Sequence, residues 1–163
     1  MAKIVLCRVD SRLVHGQVMT KWVQQSGANE IVIVSDTVSK DQFLLEIYKM
    51  SAPPGMDIRC YDREKTVSLW QEGQLMKGNT LLQFADIATL YDVCSKGVEI
   101  KEAQIGGLGG GPSRKVVYKN ITLDEKDASA LEELSNKGMN IIFQTIPEDR
   151  ALPLEEALEK FRK

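Results

Sequence analysis

Short apolar runs rich in β-branched residues alternate along the chain with longer stretches whose apolar residues recur at helical spacing. The short runs predict buried strands, and the longer stretches predict helices with one apolar face. The predicted strands are 3–8, 30–35, 57–61, 79–85, 100–106, 114–121 and 139–145. The predicted helices are 16–26, 43–50, one through Val67, Leu69 and Trp70 that ends near Gly73, 87–96, one that ends at Lys137, and 152–161.

Capping signals support several of these helix boundaries. Two residue pairs have the spacing of a capping box, in which each residue satisfies a free N–H near the other. Three further positions fit helix ends, because they suit an N-cap, a C′ glycine and a first-turn proline. The pairs are Ser39–Gln42 and Thr122–Glu125. Of the single positions, Asp86 suits an N-cap, Gly97 suits the C′ position and Pro153 suits the first helical turn.

The alternation of strands and helices predicts an α/β fold with an open, mostly parallel sheet covered by helices on both faces. The sixth strand follows a glycine-rich loop instead of a helix, so one antiparallel strand is predicted there. The chain has 163 residues, and domains average roughly 150 residues. With no internal repeat, we expect a single domain over residues 1–163.

Charge and hydropathy exclude several classes of protein. The 21 Lys and Arg residues against 23 Asp and Glu residues give a net charge of −2, which argues against a nucleic-acid partner. No apolar run approaches the roughly 20 residues of a membrane helix. Charges at Lys3, Arg8 and Asp10 leave no room for the apolar core of a signal peptide. We therefore expect a cytoplasmic protein without direct membrane insertion.

The chain contains one histidine and three cysteines. A zinc site with several histidines is impossible, and the wide spacing of Cys7, Cys60 and Cys94 suggests neither a disulfide framework nor a zinc site. We expect these cysteines to act as small buried apolar residues, and we expect no metal.

The histidine lies in the segment RVDSRLVHGQV, residues 8–18, just after the first predicted strand. Ligands of open α/β sheets bind beyond the carboxyl ends of the strands, where this segment lies. A neutral imidazole is a nitrogen nucleophile, and Asp10 is able to hold the N–H of one ring nitrogen of His15. Arg8 and Arg12 carry donors suited to phosphate oxygens. Gly16 allows close approach to the amino end of a helix, which favours anions.

These parts suit a histidine that accepts a phosphoryl group. Simpler interpretations remain open at this point. A lone loop histidine is often a surface or packing residue, and exposed arginines are often solvated or paired with nearby acids. Which imidazole nitrogen would carry the group is also open.

The glycine loop at residues 106–111 is a second candidate. It is not a P-loop, because no G-K-[ST] follows, and it does not open a helix as a dinucleotide fingerprint does. It is either a mobile loop near the site, to which Gly107 and Gly109 would belong, or a plain hairpin turn. Asp36 follows the second strand and is a further candidate to line the site, whereas Trp22 is assigned to core packing.

The segment around His15 resembles the phosphorylation site of enzyme IIB components of the bacterial sugar phosphotransferase system, in the mannose/fructose/sorbose/N-acetylgalactosamine family. The resemblance continues in IVIVSD (31–36), TLLQF (80–84), IGGLGGGPSRKVVYKNITLDEKD (105–127) and GMNIIFQTIPED (138–149). It covers essentially the whole chain.

The resemblance implies a cytoplasmic phosphotransferase, peripheral to a membrane transporter, that needs no cofactor beyond its own phosphohistidine. His15 would accept a phosphoryl group from the IIA protein and pass it to a sugar imported through the membrane components IIC and IID. Arg8, Asp10, Arg12 and Gly16 match the family's loop. The region from 105 onwards favours an N-acetylgalactosamine-type sugar, with mannose, sorbose and fructose as alternatives.

Two competing hypotheses belong to other classes. The chain is alternatively a module that binds a nucleotide or small molecule non-covalently through the 106–111 loop. It is otherwise a regulatory relative that keeps the loop and only senses phosphorylation.

Overall fold

The computed structural model describes residues 2–163 with the exception of the side chain of Gln17, and these residues form nine strands and seven helices. The strands are β1 (Lys3–Asp10), β2 (Glu30–Val34), β3 (Asp57–Tyr61), β4 (Asn79–Phe84), β5 (Glu102–Gly107), β6 (Lys115–Tyr118), β7 (Ile121–Leu123), β8 (Asn140–Phe143) and β9 (Leu152–Pro153). The helices are α1 (Gly16–Ser26), α2 (Asp36–Ser39), α3 (Gln42–Ser51), α4 (Arg63–Gln71), α5 (Ile87–Ser95), α6 (Glu125–Asn136) and α7 (Leu154–Phe161).

Seven strands form the central sheet in the order β3-β2-β4-β1-β5-β8-β9. All neighbours in it are parallel except β8 and β9. Alternate residues of β2 serve two cores, since Val32 and Val34 face the larger core and Ile31 and Ile33 face the smaller one. Helices α4 to α7 contribute to the larger core, and α1 and α3 cover the other face. The predicted fold class is confirmed.

The antiparallel pairing differs in detail from the prediction. The run 114–121 was expected to form one strand, but it is interrupted at Lys119 and Asn120. Lys119 adopts a left-handed conformation with φ +50, which turns the chain. β6 and β7 therefore pair with each other in a separate two-stranded sheet. The β8–β9 pair and the one-turn helix α2 were not predicted.

The two predicted capping boxes are wrong by about two residues. Ser39 belongs to α2, and Asp41 caps α3 by accepting a backbone N–H at 3.0 Å. Thr122 lies in β7, and the capping box of α6 consists of Asp124 and Asp127. In both places an aspartate lies nearer to the first turn, and its carboxylate is the better acceptor for N–H groups at the positive end of a helix.

Other predicted helix ends are confirmed or shift by one residue. Asp86 caps α5 with an N–H···O distance of 2.8 Å. Gly97 follows α5 with φ +110, which only glycine adopts readily. Pro153 is the N-cap of α7 instead of its first residue, because it still pairs with β8.

The strand order places a topological switch between β1 and β5. The chain leaves β1 through α1 toward β2, on one side of the sheet, and leaves β5 toward β8, on the other side. The two connections diverge above the carboxyl ends of β1 and β5, and a crevice at such a point is the usual ligand site of open α/β folds. The segment that contains His15 leaves β1 at this point.

A fully buried arginine lies beneath this crevice. Arg8 of β1 has no exposed surface. It fits only because its neighbour on β5, Gly106, lacks a side chain. A β-carbon on Gly106 would collide with the guanidinium carbon and both terminal nitrogens of Arg8. By contrast, a β-carbon on Gly109 would meet no atom within 4 Å.

A second buried charge joins β2 to its two neighbours, β3 and β4. Glu30 of β2 is 4% exposed and accepts hydrogen bonds from Arg59 Nη1 of β3 and from the Lys77 N–H, each at 2.8 Å, and from the Thr80 hydroxyl of β4. Burial would raise the pKa of Glu30, but these hydrogen bonds outweigh it and lower the pKa to about 2.

Replacing Gly106 tests the space around Arg8. We expect Gly106→Ala to lower the free energy of unfolding by about 1–3 kcal/mol, because the buried guanidinium has to move. Gly109→Ala is the matched control and should change it by less than about 0.5 kcal/mol. Denaturant titrations measure both, and equal stabilities of the two variants would contradict this packing.

Acid stability tests the Glu30 network. A carboxyl whose pKa is depressed by folding adds stability above its unfolded pKa, and the protein loses that stability as the pH falls toward the folded value. The wild type should therefore lose stability between about pH 4.5 and about pH 2, and Glu30→Gln should remove roughly 3 kcal/mol of that loss. The exposed Glu46→Gln is the control. If the wild type, Glu30→Gln and Glu46→Gln all have the same pH dependence of stability, Glu30 does not stabilise the protein in this way.

Candidate active site

The loop between β1 and α1 is short and anchored by two apolar side chains. Leu13 and Val14 are each 3% exposed and pack into the core beneath α1. Leu13 has φ +57, and its N–H donates to the carbonyl of Asp10 at 2.9 Å, which closes a tight turn. The next residue, His15, is thereby brought back over the end of β1, with 22% of its side chain exposed.

His15 occupies the N-cap position of α1, yet its side chain does not cap the helix. The ring turns instead toward β1, and Nε2 lies 3.1 Å from Oδ2 of Asp10. An ionised carboxylate only accepts hydrogen bonds, so Nε2 must carry the proton and donate it to Asp10. Nδ1 is then left with its lone pair, and it has no hydrogen-bond partner among the side chains that the structure describes, which do not include that of Gln17.

Asp10 is fully buried and surrounded by donors. Its Oδ1 accepts from the backbone N–H of Arg12 at 3.0 Å and from Nε of Arg12 at 3.1 Å. Its Oδ2 accepts from Nη2 of Arg12 at 3.2 Å and Nη2 of Arg8 at 3.3 Å, in addition to His15. Burial alone would raise the pKa of Asp10, but the bonds from His15 and Arg12 and the charge of Arg8 hold it well below its usual range. The group is therefore a carboxylate at neutral pH.

Arg8 lies beneath Asp10, away from the surface. Its Nη1 donates to Oε1 of Gln104 and, at 3.1 Å, to the carbonyl of Gln144, while Nη2 donates to the carbonyl of Thr145 at 2.9 Å. The guanidinium carbon lies 5.2 Å from the centre of the Trp22 ring. Burial lowers the pKa of Arg8 to about 10, partly offset by Asp10, so the residue stays charged at neutral pH.

This position does not fit the expectation that Arg8 contacts a phosphoryl group. All of its hydrogen bonds point to the protein interior, and none of its surface is accessible. Its place is that of a buried support for the carboxylate that holds His15.

Arg12 is exposed where Arg8 is not. Its side chain is 46% exposed. Only two of the five guanidinium N–H groups are committed to Asp10 within the described part of the chain. Gly16 lies at the start of α1 with φ +42, a conformation that favours glycine. The first-turn N–H groups of α1 and the free donors of Arg12 are thus both near the imidazole.

The glycine loop contributes one of its two predicted site residues. The carbonyl of Gly107 accepts the N–H of Ser11 at 2.9 Å. A β-carbon on Gly107 would lie 3.0 Å from Oδ1 of Asp10, so a larger residue would crowd the carboxylate. Gly109 is exposed and turns away, with its carbonyl accepting the hydroxyl of Thr122 at 2.7 Å. Arg114 closes the loop by binding Thr122 and the carboxylates that cap α6.

Asp36 is not brought to the histidine. Its carboxylate accepts the backbone N–H of Arg63 at 2.9 Å and lies 3.3 Å from Nε of the same residue. Among the described residues, no hydrogen bond or ion pair joins it to the loop of His15.

Sequence reasoning missed Gln104, Gln144 and Thr145, and assigned Trp22 to packing alone. Trp22 does pack in the core, but its indole N–H also donates to the carbonyl of Thr145 at 2.8 Å, beside the bond from Arg8. Gln104 carries a usable signal, because it is a polar residue inside an apolar strand and such residues need buried partners. The backbone carbonyls of residues 144 and 145 have no recognisable sequence signal, since every residue has a carbonyl.

The cavities and the cysteine thiols of the protein lie away from the loop of His15. Four cavities of 310–720 Å³ were found among residues 2–163, and none is lined by the loop of His15. Cys7 is buried, and burial raises the pKa of Cys60 to about 12 and that of Cys94 to about 11. No cluster of metal-ligating side chains was found in the same residues, and none of their helices is both long and apolar enough to cross a membrane. His15, with 22% of its side chain exposed, lines none of these four cavities.

Comparisons with known proteins identify relatives along almost the whole chain. The chain is 31% identical over 146 residues to the sorbose-specific EIIB component of Lacticaseibacillus casei, covering 90% of this chain and 89% of that protein. It is 27% identical over 160 residues to the mannose-specific EIIAB component of Escherichia coli, covering 98% of this chain and 50% of that longer protein. Other relatives are named for fructose, at 26% identity, and for N-acetylgalactosamine, at 28%.

A solved structure and a family model complete the comparison. The crystal structure of manxB from Thermoanaerobacter tengcongensis matches with a TM-score of 0.92 and 33% identity, covering 99% of this chain and 98% of that one. Residues 4–163 match the family described as the phosphotransferase system sorbose subfamily IIB component. The chain therefore belongs to the IIB components of the sugar phosphotransferase system.

Proposed function

We propose that Nδ1 of His15 is a covalent phosphoryl carrier. The observation that carries this proposal is the Nε2–H···Oδ2 bond to the buried Asp10, at 3.1 Å, on a ring that is itself accessible. This bond fixes the ring and leaves the lone pair of Nδ1 free to act as a nucleophile at the amino end of a helix.

The transfer balances without an added proton or metal. The Nδ1 lone pair attacks the phosphorus of a donor phosphohistidine, and the donor's N–P bond breaks as the new one forms. Phosphorylated at Nδ1 and protonated at Nε2, the His15 ring is cationic, and the Asp10 carboxylate stabilises that charge. In the second step a sugar hydroxyl oxygen attacks the phosphorus, the Nδ1–P bond breaks, and its electron pair returns to Nδ1, which leaves His15 as the neutral ring. The proton of the sugar hydroxyl passes to water.

The phosphoryl oxygens face positive groups in this arrangement. Arg12 has N–H groups to spare, and the first turn of α1 presents N–H groups and the positive end of the helix dipole. Such a transfer depends mainly on position and charge, as is general for phosphoryl transfer. Because Arg8, Arg12 and Asp10 together carry one net positive charge, the loop attracts an anion before any bond forms.

The partners follow from family membership. The donor is a IIA protein, in keeping with a relative whose name joins the A and B parts. The acceptor is a sugar brought by the membrane components IIC and IID, so the chain works in the cytoplasm beside them as one domain. A partly exposed histidine at the carboxyl edge of the sheet suits docking of two such partners in turn.

The sugar is the finer part of the proposal. An N-acetylgalactosamine-type sugar stays our prediction. The relatives named for sorbose, fructose, mannose and N-acetylgalactosamine have similar identity to this chain, so a transfer assay with all four sugars is required. Highest transfer to another sugar would overturn this prediction and leave the carrier role intact.

Nothing in the geometry favours nucleotide binding by residues 106–111. The loop links β5 to β6 and precedes no helix, so it lacks the helix end that cradles phosphates elsewhere. A thermal shift with ATP, together with no phosphorylation of His15, would nevertheless favour that hypothesis. Phosphorylation without transfer to any sugar would favour the regulatory one.

Labelling tests the carrier residue. With phosphoenolpyruvate, the upstream phosphotransfer proteins and IIA, we expect the wild type to gain an acid-labile phosphoryl group. His15→Ala should gain none, since the chain has no other histidine. Lys21→Ala, a substitution on the same helix, should label normally. A His15→Ala protein that labels like the wild type would refute the proposal.

Arg12 tests the charge stabilisation. Arg12→Ala should slow labelling by about tenfold, because the phosphoryl oxygens lose a charged donor. It should lower the melting temperature without unfolding the domain, because the backbone N–H of residue 12, Arg8 and His15 still hold the buried Asp10. Arg162→Ala is a matched control, since Arg162 is 48% exposed and also pairs with a carboxylate, that of Glu132. If both variants label at the same rate, Arg12 has no part in the transfer.

A further inference from the structure

A row of three long polar side chains crosses the sheet beneath the site. Arg8 of β1 is paired in register with Gln83 of β4 on one side and with Gln104 of β5 on the other. Paired residues of parallel strands point to the same face, and none of the three side chains is more than 2% exposed. Buried polar groups persist where they find partners, so the row needs an explanation.

The orientation of Gln104 is dictated by Arg8. A guanidinium only donates, so Gln104 must present Oε1 to Nη1. Its amide nitrogen then points the other way and donates to Oε1 of Gln144 at 3.4 Å. The Gln144 amide in turn donates to the carbonyl of Asp149 at 2.9 Å. On this side of Arg8, each hydrogen bond is therefore donated away from the guanidinium, from Arg8 to Gln104, then to Gln144 and then to Asp149.

On the β4 side of Arg8, one buried hydrogen-bond donor and one buried acceptor are left without partners. Nε of Arg8 and Oε1 of Gln83 are both buried, and neither has a hydrogen-bond partner among residues 2–163. They belong to residues that face each other across β1 and β4. Gln83 uses its amide nitrogen on the carbonyl of Phe84 at 3.3 Å, which leaves Oε1 as the acceptor available to Arg8.

We propose that Gln83 and Gln104 are positioning residues for phosphotransfer. Gln104 holds Nη1 of Arg8 directly, and Gln83 holds Nε through one bridging water molecule. The guanidinium is then oriented so that Nη2 stays on Oδ2 of Asp10. That contact keeps the same oxygen on Nε2–H of His15. The proposal rests on the phosphocarrier function and adds two residues that touch neither the phosphoryl group nor His15.

The test uses Gln83→Leu and Gln104→Leu, which keep the side-chain volume and remove the acceptors. Gln71→Leu, at an exposed glutamine of α4, is the control. Because the chain has one histidine, NMR of labelled imidazole shows a single Nε2 proton, whose exchange with water reports the bond to Asp10. Labelling from phospho-IIA gives the transfer rate, and circular dichroism checks the fold.

Both Leu variants should exchange the His15 proton about tenfold faster and label about tenfold more slowly than the wild type, as small displacements of catalytic groups do. The Gln71→Leu control should match the wild type.

Gln104→Glu keeps an acceptor for Arg8 and should therefore retain slow exchange of the His15 proton. If Gln104→Leu does not fold, this variant tests the role of Gln104 in its place.

Wild-type exchange in the folded Leu variants would overturn the proposal, even if labelling slowed, since a merely structural glutamine would give that result. Fast exchange in Gln104→Glu would overturn it as well. The exchange measurement needs no phosphoryl donor. A wild type that never labels would therefore refute the carrier function and leave the positioning claim to be judged by exchange alone.

Discussion

The buried carboxylate of Asp10 is the constraint on which the site depends. A carboxylate removed from water must be surrounded by donors, and here they come from Arg8, Arg12 and His15. A buried ion pair is weak evidence for stability, because desolvation offsets most of the attraction. The Asp10 cluster is better understood through its geometry. It holds the only histidine in one orientation and gives the site one surplus positive charge.

The fold builds this cluster from few parts. A strand that lies between two parallel neighbours places Asp10 at the carboxyl edge of the sheet, where the connections of β1 and β5 diverge. A loop anchored by Leu13 and Val14 returns His15 over that carboxylate at the start of α1. Gly106 and Gly107 leave room on β5 for Arg8 and Asp10. The result is a rigid support below and an accessible imidazole above, which suits a residue that must meet two protein partners.

Much of this arrangement could be predicted from the sequence, and the limits have physical causes. Periodicity located the strands, and the carboxyl-end rule located the His15 loop, because both depend on local pattern. The roles of the two arginines could not be separated, since Arg8 and Arg12 differ only in the direction of their side chains. That direction is set by strand register and by the missing β-carbon of Gly106. Gln83 and Gln104 escaped notice because their importance comes from pairing across strands with Arg8, which lies 96 residues before Gln104 in the chain. Asp36 was a candidate by the same edge rule, but Arg63 engages it.

The nitrogen that carries the phosphoryl group is the most direct test of the account. Phosphorus and nitrogen NMR of the phosphorylated protein distinguishes the two isomers of phosphohistidine. With Nε2 bound to Asp10, the account requires the phosphorus on Nδ1 of His15 and a proton retained on Nε2. Phosphorus on Nε2 would contradict it, because the bond to Asp10 could not then hold the reactive ring.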